Sequence, residues 1–177
     1  MVVFRHLLRD RGITVEDLLD PDPRLSKLKV TIFAFDPQTQ KSTAQLVAFL
    51  DEEDARLLST LIVDRRMPPE WTDYKGGPRK EGGVEARVFS IRYDPKARKP
   101  YTFTVRRGTG ELLPTGAVKP VRLTEEASIM LDELEAMKMA LVIQEVIRAF
   151  WAANYPRLVR ARRRPALKTA RTDGTDG

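Results

Sequence analysis

Val30-Thr31-Ile32-Phe33-Ala34-Phe35-Asp36-Pro37, answered by Ser42-Thr43-Ala44-Gln45-Leu46-Val47-Ala48-Phe49-Leu50, decides how this chain begins to fold. In the first run Val30, Ile32 and Ala34 point one way and Thr31, Phe33 and Phe35 the other. In the second, Ala44, Leu46, Ala48 and Leu50 oppose Gln45, Val47 and Phe49. Period two with β-branched and aromatic residues reads as strand, and Asp36-Pro37 opens a loop of about six residues between them. Asp51 then caps a helix with Asp54 at its N3 position, where the helix dipole favours acids. Ala55, Leu58, Leu61 and Ile62 form its buried stripe, Arg65 and Arg66 suit its last turn, and Pro68-Pro69 closes it.

A similar unit follows. Glu85–Tyr93 alternates, with Arg87, Phe89, Ile91 and Tyr93 on one side, and ends in Tyr93-Asp94-Pro95. Tyr101–Arg106 returns after a basic turn. Residues 32–42 and 90–100 share the pattern apolar-x-aromatic-Asp-Pro-x3-Lys. That pattern reads either as an internal duplication or as recurrence of a common Asp-Pro turn. Upstream, Phe4, Leu7 and Leu8 at helical spacing and Thr14 as a cap predict short helices before Pro21-Asp22-Pro23. Downstream, Thr124 caps a helix that opens on Glu125-Glu126 and runs to Ala153, roughly 45 Å at 1.5 Å per residue. Met130, Leu134, Met137 and Leu141 recur on it as a coiled-coil seam. A helix of that length and apolarity is expected to pair with another subunit, the alternative being a core helix of a monomer.

The predicted fold is therefore α+β: a four-stranded antiparallel sheet from two ββα units, short N-terminal helices and a long C-terminal oligomerisation helix. The expected divisions are a helical preface at 1–27, a sheet-based domain at 28–123, the oligomerisation helix at 124–155 and a basic, flexible tail at 156–177.

The 177 residues carry a net charge of +6, and its placement is uneven. Residues 75–107 hold ten Lys/Arg against three acids; residues 156–171 hold seven and none. Such segregation is the footprint of a protein that meets a polyanion. Cysteine is absent and His6 is the only histidine, so thiolate metal sites and His-based catalysis find no support. No apolar run approaches the roughly 18 residues of a membrane span, and the start lacks the layout of a secretory signal. The expected setting is intracellular, with no membrane partner.

Seven of the eleven Phe and Tyr residues fall in the four strands: Phe33, Phe35, Phe49, Phe89, Tyr93, Tyr101 and Phe103. Helices covering one sheet face need only one apolar face, so the other is free to serve as a stacking platform for bases. Alternation alone leaves open which face is which. Arg87, Arg92, Arg106 and Arg107 interleave with these aromatics. Residues 67–83 read as a long glycine-rich loop in which Trp71 and Tyr74 are available for stacking. Lys75, Arg79 and Lys80 there, with Lys96, Arg98 and Lys99 in the basic turn, are placed to track phosphates. Enzyme signatures are missing: no phosphate-binding loop, no dinucleotide fingerprint, no His-Glu-x-x-His. Asp36, Glu85 and Asp94 are the only metal candidates, and two of them belong to Asp-Pro turns. No cofactor, metal or catalysis is expected.

The order hairpin, helix, glycine-rich loop, hairpin, long zipper-like helix resembles the ThermoDBP-type single-stranded DNA-binding proteins of thermophilic archaea and their relatives. The resemblance covers about residues 28–155 and is carried by that layout, the aromatics from Phe33 to Phe103 and the Met130-Leu134-Met137-Leu141 seam. It implies a sheet-based cleft or inter-subunit tunnel taking single strands with little sequence preference, and oligomerisation through the last helix. Charge richness without cysteine suits a thermophile, and a DNA-binding role would place the chain with the nucleoid in the cytoplasm. An RNA-binding or whirly-like transcription-associated module, and a scaffold dimerising through its last helix, are the alternatives.

Overall fold

The computed structural model describes residues 1–39, 41–79 and 81–169, the stretch 156–169 by its backbone alone. Eight strands and two helices alternate as two similar units. β1 (Val2–Leu7), β2 (Arg11–Leu18), β3 (Lys27–Phe35) and β4 (Ser42–Asp51) precede α1 (Glu52–Val63). β5 (Glu70–Pro78), β6 (Val84–Tyr93), β7 (Tyr101–Leu112) and β8 (Val118–Leu131) precede α2 (Glu133–Thr169). Each set of four strands forms its own antiparallel meander, in the order β1-β2-β3-β4 and β5-β6-β7-β8. The α+β class holds; one sheet built from two ββα units does not. There are two sheets, because four of the strands, β1, β2, β5 and β8, lie where the sequence reads as helix or loop.

The first of these departures is the N-terminal preface, which is a β-hairpin and not a pair of helices. Ile13, Thr14 and Val15 carry β-branched side chains, and β2 pairs with β3 along its whole length. That pairing buries Ile13 and Val15 to 0 and 1% exposure, and burial of about 1.5–3 kcal/mol per such side chain outweighs any local helical preference. Gly12 lies inside β2. A Cβ there would meet the Phe33 ring at 2.5 Å, so the glycine admits an aromatic ring across the strand. The second departure is the supposed loop after α1: residues 70–78 are β5, paired with β6 from Glu70↔Arg92 to Pro78↔Val84. The third is the start of the last helix. Glu125 and Glu126 are not its first turn but residues of β8, opposite Arg107 and Arg106. Their charge pairs across the strands explain acids in a sheet. Met130 is accordingly a strand residue, and the helix begins at Glu133.

Hydrophobic patterning is clearest in β2 to β4. Ile13, Val15, Leu28, Val30, Ile32, Leu46, Ala48 and Leu50 are at most 5% exposed and join α1 and α2 in one core. The second sheet contributes Phe89, Ile91, Tyr101, Phe103, Val105, Ile129 and Leu131 to that core. From α1 come Ala55, Leu58 and Ile62; from α2, Ala136, Met139, Ala140, Ile143 and Ile147, at helical spacing. Glu52 ties the two units together. Its carboxylate accepts from the Ser26 hydroxyl at 2.8 Å, from Arg56 at 2.8 Å and from the Trp151 indole N–H at 2.5 Å.

The Asp-Pro pattern at 32–42 and 90–100 turns out to mark hairpins that are not equivalent. The first joins the third and fourth strands of its unit, the second the second and third. What they share is turn chemistry: Asp36 accepts from the Gln38 N–H at 2.8 Å and Asp94 from the Lys96 N–H at 3.0 Å. α2 runs past Pro156 to Thr169, so residues 156–169 continue the helix where a flexible tail was expected. Residues 170–177 of that tail lie outside the described residues.

Candidate functional site

The two sheets divide the aromatics between two fates. On the first sheet, the register sets three rows on the face away from the core: Val2-Glu16-Lys29-Phe49, Arg5-Thr14-Thr31-Val47 and Leu7-Gly12-Phe33-Gln45. Phe33, Phe35 and Phe49 stand here half-buried, with Arg5 and Gln45 exposed beside them. Phe33 and Phe35 lie 6.3 Å apart, centroid to centroid. On the second sheet the aromatic side is the core side. Phe89, Tyr101 and Phe103 are 4, 1 and 2% exposed, and Trp71 and Tyr93 pack against the same core. These five were candidates for stacking; their faces are occupied by protein instead, Phe89 against Trp71 and Phe103, Tyr93 against Tyr101. Burial also pushes the Tyr101 phenol up to about 12, with Tyr93 and Glu133 adding to the effect, and among the described residues its hydroxyl has no hydrogen-bond partner.

Two residues further along the second sheet, the same face turns charged. The row Asp73-Phe89-Val105-Ala127 gives way to Lys75-Arg87-Arg107-Glu125. Here edge strand β4 comes alongside. Lys75 Nζ reaches Asp51 Oδ2 at 2.7 Å, and the Arg87 guanidinium sits over the Phe49 ring at 5.8 Å from its centroid. Between β4, β5 and β6, with Gly116–Val118 of the β7–β8 hairpin at its rim, lies an open cleft of about 560 Å³. Its lining brings together Lys27, Phe49, Tyr74, Lys75, Arg79 and Arg87. Phe49 belongs both to this cleft and to the open face, so the two surfaces are continuous.

The cations of the cleft are already engaged. Lys75 also meets Asp73 at 3.2 Å, and Glu85 takes both Arg87 and, at 3.3 Å, Arg79. A phosphate entering the cleft therefore exchanges one carboxylate contact for another anion. Arg107 holds Glu125 at 2.5 Å, which keeps that carboxyl below its ordinary value, and Arg106 holds Glu126 at 2.8 Å.

The remaining cations scatter. Lys96, Arg98 and Lys99 occupy the β6–β7 turn beyond Tyr93. At about 3.3 Å per residue the strand from Arg87 to Tyr93 alone separates them by roughly 20 Å. Arg92 lies on the opposite face of the sheet from Arg87, and Lys80 lies outside the described residues. Asp36 and Asp94 are turn residues far along the chain from Glu85, and among the described residues no group of three His, Asp or Glu is placed to hold a metal ion. Sequence reading did not name Arg5, Lys27 and Lys29, which share the open face with Phe33 and Phe49. Arg5 lies on β1, which reads as helix, and Lys27 and Lys29 precede the alternation that begins at Val30. No helix among the described residues is long and apolar enough to cross a membrane. No family model, curated protein or solved structure matches the chain.

Proposed function

We propose that this chain binds single-stranded DNA, without catalysis and with little sequence preference, across the open face of the first sheet and into the adjoining cleft. One observation carries the reading: Phe49 stands where the half-buried aromatic face of the first sheet meets Arg87, Lys75 and Arg79. Bases have a face to stack on and phosphates have cations within reach, which is the pairing that sequence-tolerant recognition of a flexible strand requires. Duplex DNA hides its base faces and gains only the cations. The kinship with ThermoDBP-type proteins belongs to this proposal through the shared expectation of a sheet-based cleft, and so does a nucleoid setting.

Fluorescence anisotropy with a labelled oligothymidine, a duplex and an RNA of equal length tests it. Phe33→Ala and Phe49→Ala should each weaken single-strand binding about 5- to 150-fold, the equivalent of about 1–3 kcal/mol per stacked base. If Lys27, Lys75, Arg79 and Arg87 each met one phosphate, affinity would fall about 50-fold between 50 and 200 mM salt, from a slope of about −0.7 per contact. Equal or tighter duplex binding refutes the single-strand reading. Preference for RNA would transfer the site to the alternative ligand, and no affinity at any salt would leave a scaffold.

A further inference from the structure

A groove of about 1080 Å³ separates α1 from the part of α2 around Trp151 and Tyr155, about twice the volume of the cleft between β4, β5 and β6. Helical spacing builds both walls. Glu53, Arg56, Leu57 and Thr60 share one face of α1, and Trp151 and Tyr155 stand one turn apart on α2. A smaller hollow of about 430 Å³ continues the groove along α2. There the Gln144 amide donates to the Thr60 hydroxyl at 3.3 Å and bridges the helices. Trp151 is held in place, because its indole N–H donates to Glu52 at 2.5 Å. Tyr155 and Leu57 are 65 and 52% exposed. Apolar side chains exposed singly mean little, but these two line one groove together with Trp151 and Pro23.

We infer that this groove is a second stacking station for the same nucleic-acid strand, holding one base between Trp151 and Tyr155; the inference rests on the single-strand reading above. Continuity, charge and spacing carry it. The groove and the cleft are joined, since Lys27 lines both and Asp51 of the groove holds Lys75 of the cleft at 2.7 Å. The charges of the groove cancel, Arg24, Lys27 and Arg56 against Asp51, Glu52 and Glu53. It therefore suits the uncharged part of a nucleotide and exerts no net pull on a phosphate. Positive charge lies beyond its outer end instead. α2 carries on from Tyr155 to Thr169, and residues 156–171 hold seven cations and no acid. A strand that leaves the cleft past Lys27 meets aromatic surface first and then a basic field that attracts its phosphates. The spacing fits one base. Four residues of helix rise about 6 Å, and a base stacked on both faces at about 3.4 Å takes about 6.8 Å. A free nucleotide would use the two rings, but neither the joined cleft nor the basic end.

Trp71 and Trp151 are the only tryptophans, so in Trp71→Phe the emission reports on the groove alone. Oligothymidines of about 4 to about 16 nucleotides span the site sizes of sheet-based single-strand binders. They should quench that emission only once they are long enough to leave the cleft, and their affinity should step up at the same length. Tyr155→Ala should weaken binding of the longest about 5- to 150-fold, as for one lost stacking partner, and erase the step; Tyr155→Phe should keep both. Anisotropy of Tyr155→Ala against the parent reads the same step without Trp71→Phe, so the test stands even where that core variant fails to fold. Affinity and Trp151 emission that do not change with length overturn the inference, as does a Tyr155→Ala chain that binds the longest oligothymidine like the parent. Both outcomes leave the cleft reading intact. Equal quenching by thymidine monophosphate also overturns it, since the groove would then be a nucleotide pocket and not a stretch of strand path. No binding at any length refutes cleft and groove together.

Discussion

Glu52 offers a test of how the two units are joined, because its carboxylate is shared between α1, the β2–β3 connection and α2. The residue is 7% exposed and Ser26 is fully buried. Glu52→Ala strips acceptors from the Ser26 hydroxyl at 2.8 Å and the Trp151 indole N–H at 2.5 Å. Leaving a buried donor unsatisfied costs about 1–3 kcal/mol. The Ser26 hydroxyl also accepts from the Asp20 N–H at 3.2 Å, so it keeps part of its bonding. Arg56 is more than half exposed and contributes at most a few tenths of a kcal/mol after solvent screening. The expected loss is about 2–4 kcal/mol, with Trp151 the larger share. Urea denaturation followed by circular dichroism measures it, in a cycle of Glu52→Ala, Trp151→Phe and the double variant. Coupling of at least about 1 kcal/mol between the two sites is expected, as for groups in one network. Additive effects, or a loss for Glu52→Ala below about 0.5 kcal/mol, would show that the contact does not hold the units together.

Three further outcomes follow from single positions. Tyr101→Phe removes a hydroxyl that is buried without a partner among the described residues, so it should stabilise by about 1 kcal/mol in the same denaturation assay; a loss of that size would mean the hydroxyl is bonded. Gly108→Ala places a Cβ 2.0 Å from the Arg122 carbonyl oxygen and 2.7 Å from Leu123 Cα. Backbone cannot swing aside as a side chain can, so a loss of about 1–3 kcal/mol is expected, and an unchanged urea midpoint would contradict the close approach of β7 and β8. Asp54 has its carboxyl pushed above its ordinary value by burial, with Asp73, Asp51 and Glu53 adding and Lys75 opposing. A raised folded value means the native state binds the proton more tightly than the unfolded chain. The stability this confers is present at acid pH and is lost as pH rises through the folded value. Asp54→Asn should therefore raise the thermal midpoint relative to the parent at pH 7 more than at pH 3, and an equal difference at both would refute the assignment.

What was legible in the sequence was local and strongly periodic. The β3–β4 hairpin, α1 and β6 stand where alternation and the apolar stripe put them, because there propensity and burial agree; Asp51 precedes α1 as expected, but its carboxylate takes Lys75 and makes no capping bond. Elsewhere they disagree. Thr124-Glu125-Glu126 has the composition of a helix start, yet Arg107 and Arg106 lie across the ladder and neutralise the acids in extended chain. Gly76 and Gly77 read as loop, but a Cβ at Gly76 would stand 2.0 Å from the Glu85 carbonyl, so that glycine is needed for strand contact and not for a turn. Phe4, Leu7 and Leu8 fit a helical stripe over three positions only, too few to outweigh eight paired positions of β2 on β3. In each case the deciding partner is distant in sequence, and no local pattern contains it.

The same distance governs the candidate site. Ten aromatics in six strands look alike in sequence, whether at Phe33 or Phe103, since alternation tells only that two faces differ. Which face is open depends on where the helices lie. Both helices pack on the inner faces of both sheets, and the core they share takes the aromatic side of the second sheet and the aliphatic side of the first. The first sheet can leave Phe33 and Phe49 outside because Val30, Ile32, Leu46 and Leu50 already fill its inner face. Burying the phenylalanines there instead would need a one-residue slip, which would expose all four aliphatics to water. At about 1.5–3 kcal/mol for each side chain, the slip loses four aliphatic burials, regains three in Phe33, Phe35 and Phe49, and forces Lys29, Thr31 and Gln45 into the core with them. The open aromatic face is therefore as firmly specified as the core behind it, and stacking on it requires no rearrangement of the fold.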